Sequence, residues 1–288
     1  MKLCRYDDNR LGVVLGNEVA DVTSVLGTLP TYGYPLPRHD VLVARLPALR
    51  QAIQDLIRTA KRVPLAEVKL LSPVANPGKL IAAPVNYAKH LNEVLGDANL
   101  HHNNRISEIQ RAGLFLKATS SLVGCGEGVE IVQPDRRTDH EVELAVVIGR
   151  EAKNVSARDA LSYVAGYSIG LDITIRGPEE RSMRKSPDSY SVLGPWLVTP
   201  DELPDPTALA LDLTLNGEPR QRSNTRDLII GVAELIEFAT RFYTLHPGDV
   251  IYTGTPEGVG PVTAGDRMFA RIEGIGEMAV DVRAAAER

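Results

Sequence analysis

Cysteine is nearly missing from this 288-residue chain, which has only Cys4 and Cys125. Neither lies in a paired-ligand spacing, so a zinc-finger site and a disulfide framework are excluded and a reducing cytoplasm is the expected location. Long hydrophobic runs are missing too. The longest, Leu-Ala-Val-Val-Ile-Gly at 144–149, falls far short of the ~20 apolar residues of a membrane span. The first residues turn charged at once and contain no apolar core, so no signal peptide is expected and no membrane partner. There is no basic excess. Lys and Arg number 32 against 37 Asp and Glu, a net charge of −5, which argues against a nucleic-acid partner. An anionic small substrate stays possible, because a local cation outweighs net charge. Repeats and low-complexity tracts are absent. With 43% hydrophobic and 24% charged residues, the composition is globular.

The first seventy residues differ from the rest. Short apolar runs at 2–6, 11–16 and 18–23, split by Asp-Asp-Asn and Gly-Asn, read as small strands with tight turns. A helix is expected over 46–63, where Leu49, Ile53, Leu56 and Ile57 share a face. The Pro- and Gly-rich stretch 73–80 marks a boundary. It predicts a small N-terminal subdomain over 1–72 and a main domain over 73–288. The main domain reads as strands at 140–149 and 166–175, and strands with Gly turns after 248. Two helices are expected there. One covers 156–167 with Ser156 as N-cap. The other covers 225–243 with Leu228, Val232, Leu235, Ile236 and Ala239 on one face. The polar segment 94–113 reads as a surface loop or a lid.

Glu141 and Glu143 are two apart, so in a strand they face the same way. The apolar run behind them is typical of a strand buried on both faces. Two carboxylates there repel each other, and a divalent cation relieves the repulsion. Asp172 is a lone acid at the end of a second apolar run. Three carboxylates without a Cys or His cluster favour a hard, oxygen-loving ion, Mg²⁺ first, then Mn²⁺ or Ca²⁺. Ordinary acids at a solvent-facing strand end have the same spacing. His90 and Glu93 are three apart, neighbours on a helical face, a pairing that suits a general base acting on water and also occurs as surface decoration. The turn around Gly254 and Thr255 offers backbone N–H groups and a hydroxyl for a carboxylate, or is a plain turn. Lys185 has no meaning by itself.

Together these segments resemble the fumarylacetoacetate hydrolase family. The similarity is carried by NYAKHLNE (86–93), FLKATSSLVG (115–124), HEVELAVVIGR (140–150), LDITIR (171–176), Lys185-Ser186 before LGPWLVTPDEL, and IYTGTPEGVGP (251–261). The resemblance implies an α+β, β-rich fold: a mixed β-sheet roll of the fumarylacetoacetase C-terminal-domain type with a small N-terminal subdomain, usually in a homodimer. It implies that Glu141, Glu143 and Asp172 bind the metal and that His90 and Glu93 form the catalytic pair on a lid helix. It also implies that Lys185 reaches the substrate and metal shell, and that Arg176, Glu179, Gly254 and Thr255 contact substrate. The chain departs from the common pattern after Asp172. Gly177 stands where an acid is usual, Glu179 where a Gln is common, and Pro187 where an aromatic is usual.

The expected activity is a Mg²⁺-dependent hydrolase, cleaving a carbon–carbon bond in a small β-diketo (2-oxo) acid of the acylpyruvate or fumarylpyruvate type, in aromatic or small-carboxylic-acid catabolism. Decarboxylation of a 2-oxo diacid such as oxaloacetate, or isomerisation of a hydroxymuconate-like diacid, uses the same metal site. A non-catalytic binding protein on this fold is the remaining alternative.

Overall fold

The computed structural model describes residues 1–102 and 107–285. Its centre is a large mixed sheet in the order Arg62–Pro64, Glu18–Asp21, Arg10–Leu15, Lys2–Tyr6, Ser191–Val198, Val164–Asp172, Val142–Ile148, Val250–Tyr252, Leu80–Ala82, Phe115–Lys117. The three middle strands are antiparallel, with Val142 opposite Leu171, Glu143 opposite Gly170 and Asp172 opposite Ser191. A second sheet runs Glu218–Asn224, Ala210–Leu215, Arg267–Ile272, Gly276–Ala284, Val129–Ile131. A third, small sheet joins Thr174–Ile175, Thr138–His140 and Gly260–Pro261. This is the β-rich, mixed-sheet fold that the resemblance implies.

Alternation along the central strands decides where the acids go. Leu144, Val146 and Ile148 face the second sheet and share its core with Leu211, Leu213, Met268 and Val280. Ala145 and Val147 face the other way, into a core with Leu193, Val250 and Tyr252. Side chains two apart share a face, so Glu141 and Glu143 continue the row of Ala145 and Val147. On the neighbouring strand Ile169 and Leu171 join the first core, which leaves Asp172 on the acids' face. Gly170 lies opposite Glu143, and a Cβ there would come within 2.7 Å of the Tyr252 ring. Its lack of a side chain lets that ring lie flat beside the acids.

The N-terminal residues extend the same sheet, since Lys2–Tyr6 pairs with Ser191–Val198. Their helix runs Val41–Ile57 rather than 46–63. Asp40 caps it, accepting from Val43 N at 3.0 Å, and its second oxygen accepts from Ala75 N and Asn76 N. The helix ends early because Arg62–Pro64 pairs with Glu18–Asp21 instead. Ile53 is fully buried against the core with Val43 and Leu46, and Leu49, Leu56 and Ile57 pack on its edge. The helix expected over 156–167 is confined to Ala157–Ala160 and a 3₁₀ turn to Tyr163, because Val164 already enters the central sheet. Ser156 stands at its N-cap, but its hydroxyl goes to Asp159 rather than to a backbone N–H. The later helix is Val232–Phe242 behind Gly231, so Leu228 falls outside it, while Val232, Leu235, Ile236 and Ala239 are buried as their spacing requires. Among the described residues no helix is long and apolar enough to cross a membrane.

Candidate metal centre and active site

Glu141, Glu143 and Asp172 are all buried, and one oxygen from each lies within 4.8 Å of the others. Burying three carboxylates together is unfavourable unless positive charge offsets them. Two lysines and an arginine provide most of it. Lys185 Nζ donates to Glu141 Oε2 at 2.7 Å, to Asp172 Oδ2 at 2.6 Å and to Thr174 Oγ1 at 2.7 Å. Lys117 Nζ donates to Asp172 Oδ1 and, at 2.7 Å, to the Tyr190 carbonyl. Arg176 spans Glu141 and Asp139, each at 2.8 Å. Burial pushes the Glu141 carboxyl up, but Lys185 and then Arg176 outweigh it and hold it well below the usual carboxylate range.

Glu143 has no such partner. Its one hydrogen bond comes from Gly254 N at 2.6 Å. Burial, then the charges of Asp172 and Glu141, push its carboxyl well above the ordinary value. One acid in the group is therefore left short of positive charge while lining an open cavity. A hard divalent cation fits this donor set: three carboxylates, no sulfur, and an uncompensated negative charge at its centre.

His90 and Glu93 lie in the helix Ala88–Gly96. His90 Nδ1 meets Glu93 Oε2 at 2.8 Å, and Glu93 Oε1 accepts from Gly258 N at 2.9 Å. The carboxylate fixes the tautomer with hydrogen on Nδ1, and the lone pair of Nε2 is then free to take a proton. His90 borders the same cavity as the three acids. That cavity, about 310 Å³, is also bordered by Val94, Leu100, Phe115, Arg181 and Lys185. Leu100 belongs to the short helix Ala98–His101. Of the expected lid over 94–113, residues 103–106 lie outside the described residues.

The four expected substrate contacts all stand near this cavity, but most of their polar groups have partners. Thr255 Oγ1 donates to the Val142 carbonyl at 2.9 Å and accepts from Gln221 at 2.8 Å. Gly254, at φ +101°, uses its N–H on Glu143. Glu179 is clamped by Arg136 through two bonds of 2.9 and 2.7 Å. Arg176 is committed to acids, so what it does in this structure is hold Glu141 in place. The two thiols take no part, since burial pushes Cys4 up to about 12 and Cys125 up to about 11.

Sequence reasoning missed Lys117. It is fully enclosed, with its ammonium 5.6 Å from the Tyr252 ring centroid, and burial pushes its pKa down against the pull of Asp172. The only available signal was a lone Lys in the apolar stretch Phe-Leu-Lys, where a buried charge requires a partner.

Known proteins match both the fold and the chain. The family described as fumarylacetoacetate (FAA) hydrolase C-terminal matches residues 79–283. A maleylpyruvate hydrolase from Aquipseudomonas alcaligenes is 61% identical over 287 residues, covering 98% of this chain and 99% of its own. A crystal structure of maleylpyruvate hydrolase from Sphingobium sp. SYK-6, in complex with manganese(II) and pyruvate, is 40% identical with a TM-score of 0.84, covering 99% of this chain and 100% of that one. A mitochondrial oxaloacetate tautomerase from Rattus norvegicus is 35% identical over 241 residues, 80% of this chain and 74% of its own.

Proposed function

This chain belongs to the fumarylacetoacetate hydrolase family and is a metal-dependent hydrolase of carbon–carbon bonds in acylpyruvate-type acids, and from that premise we propose that its substrate is maleylpyruvate. The observation that carries this reading is the likeness to a maleylpyruvate hydrolase along nearly the whole chain. The His90–Glu93 pair, on the same cavity as the acid trio, gives that likeness a mechanism.

A divalent cation held by Glu141, Glu143 and Asp172 supplies Lewis-acid polarisation of the 2-oxo-acid end. His90 Nε2 takes a proton from water, and the oxygen attacks the distal carbonyl carbon. Glu93 stabilises the imidazolium that results, and Gly258 N keeps Glu93 aimed at the ring. The bond between the attacked carbon and its neighbour breaks, and its electron pair becomes the enolate of pyruvate. The ammonium of Lys185, which lines the cavity beside the acids, offsets the charge as it develops. His90 then returns the proton, and maleate and pyruvate leave. Arg176 and Lys117 position Glu141 and Asp172, and neither moves a proton in this scheme.

Mg²⁺ is the proposed resident ion, supported by the all-oxygen donor set. Residues 1–72 are proposed as a small subdomain joined to a catalytic domain over 73–288. The family match beginning at residue 79 supports that division, and the shared strand pairing means that the two parts fold together. The proposed location is the cytoplasm, supported by two buried, unpaired cysteines. A tagged copy fractionating with another compartment would remove that reading. A homodimer is proposed as well. Light scattering of a 31.3 kDa chain is then expected to read twice that mass at micromolar concentration, and a monomer mass would overturn the dimer.

The test of substrate is a small panel with Mg²⁺ and with Mn²⁺, each with and without EDTA. Maleylpyruvate is expected to be split to maleate and pyruvate, with kcat/KM at least about tenfold above any turnover of oxaloacetate, and with EDTA removing the activity. Faster tautomerisation or decarboxylation of oxaloacetate would overturn the reading.

A further inference from the structure

Of the cations lining the cavity, Arg181 differs from the others. Arg176 is tied to Asp139 and Glu141, Lys185 to Glu141 and Asp172, and Arg184 donates to the carbonyls of Glu179 and Ile175. Among the described residues Arg181 donates to no carboxylate or carbonyl. Its guanidinium lies over the Phe115 ring, 5.4 Å from the centroid, and is half-buried. The acids on its own segment do not reach for it. Glu179 gives both oxygens to Arg136, and Glu180 turns back to cap Ser182. The guanidinium feels the charges of Glu141, Glu180 and Asp172 but is hydrogen-bonded to none of them among the described residues, so its fork of donors is open to a carboxylate.

Its place in the cavity fits that role. Arg181 and Lys185 are four apart in the helix Arg181–Lys185, and Lys185 Nζ lies over the same Phe115 ring at 5.5 Å. The two cations therefore share one helical face, about one turn apart. Lys185 is bonded to two of the three acids, and Arg181 stands one turn before it on the same helical face, lining the same cavity. A diacid held by its 2-oxo-acid head at the three acids lies in the cavity that Arg181 also lines, so its far carboxylate can meet that guanidinium. We propose that Arg181 binds the distal carboxylate of the substrate's acyl chain and so makes the enzyme selective for diacids over uncharged acylpyruvates. This rests on the acylpyruvate reading above and names what selects the acyl group.

The test compares maleylpyruvate with acetylpyruvate, which lacks the distal carboxylate, on metal-loaded wild type, Arg181→Met and Arg181→Lys. The expected result is a fall of about 10- to 100-fold in the ratio of the two kcat/KM values for Arg181→Met, as for loss of a charge-assisted hydrogen bond. The fall should lie in KM for maleylpyruvate. Arg181→Lys should recover part of the ratio, because it keeps the charge and loses the fork. If the methionine variant does not fold, the lysine variant carries the test, and its ratio must lie more than about threefold below wild type. A ratio within about threefold of wild type for the folded variants overturns the assignment of Arg181 while wild-type turnover of maleylpyruvate keeps the functional reading intact. Wild-type protein inert toward maleylpyruvate overturns both.

Discussion

Glu143→Gln is expected to abolish tight divalent-metal binding while leaving the metal-free protein as stable as wild type or more so. Among the described residues Glu143 is the acid of the three with no cation bonded to it, and Gly254 N holds it. Replacing it by Gln keeps an oxygen for that N–H and removes a carboxyl whose ionisation burial and its two acid neighbours oppose. Repulsion from Glu141 and Asp172 then falls, so the metal-free fold loses nothing and melts at or above the wild-type temperature. The metal site, however, loses the negative charge that a cation would neutralise. Residues outside a ligand set typically change affinity 10- to 100-fold, so loss of a ligand should exceed about 100-fold. Saturating metal at about a hundred times Kd stabilises the wild type by about 2.7 kcal/mol, a shift of roughly 4–5 °C for a chain of this size. The variant should show no such shift at the same concentration. Two measurements decide it: calorimetric titration with Mg²⁺ and Mn²⁺, and melting curves with and without metal. Wild-type affinity in Glu143→Gln would mean that the carboxylates do not hold the ion.

Much of this site was legible in the sequence, for an energetic reason. Carboxylates inside apolar strands are unfavourable, so Glu141, Glu143 and Asp172 announce themselves against Leu144–Ile148 and Val164–Leu171. The helical spacing of His90 and Glu93 is local and survives folding unchanged. What the sequence concealed depends on pairing between distant segments. Lys117 matters because its short strand ends beside Asp172, 55 residues further along. Arg176 reads as a substrate contact until Glu141 is found 35 residues away on its guanidinium. Thr255 offers a free hydroxyl on paper, and the strand beside it takes the proton at Val142. The misplaced ends of the first helix and of the helix after Ser156 have the same origin. Local periodicity continued, but Arg62–Pro64 and Val164–Asp172 were claimed by the sheet, and tertiary pairing outweighs propensity of a few tenths of a kcal/mol per residue.

The second large effect separates hydrolysis from the other chemistries that a carboxylate-bound metal supports. His90→Ala removes the group that takes the proton from water. Glu93→Gln leaves His90 in place but removes the negative charge 2.8 Å from Nδ1 that stabilises the imidazolium. Loss of a general base typically lowers turnover 10²- to 10⁴-fold, or about 3–5 kcal/mol of barrier. His90→Ala is expected to fall in that range on maleylpyruvate, and Glu93→Gln to fall in it too, because without the carboxylate His90 loses the tautomer that leaves Nε2 free to accept a proton. Since the two act as a unit, the double variant should be little worse than His90→Ala alone. Glu93 accepts with both oxygens, from His90 Nδ1 and from Gly258 N; the amide in Glu93→Gln has one, so keeping the Gly258 anchor turns its NH2 toward Nδ1, and the drop reports loss of the carboxylate that fixes the tautomer and stabilises the imidazolium. Metal affinity should hold in all three, as neither side chain is among the acid trio. Turnover of oxaloacetate, where the metal alone polarises the substrate and no water is deprotonated, should fall much less. The decisive comparison is kcat on maleylpyruvate against oxaloacetate across the wild type, both singles and the double. If maleylpyruvate turnover in His90→Ala stays within about threefold of wild type, far from the range for general-base loss, then water is activated elsewhere and the His90–Glu93 pair is structural.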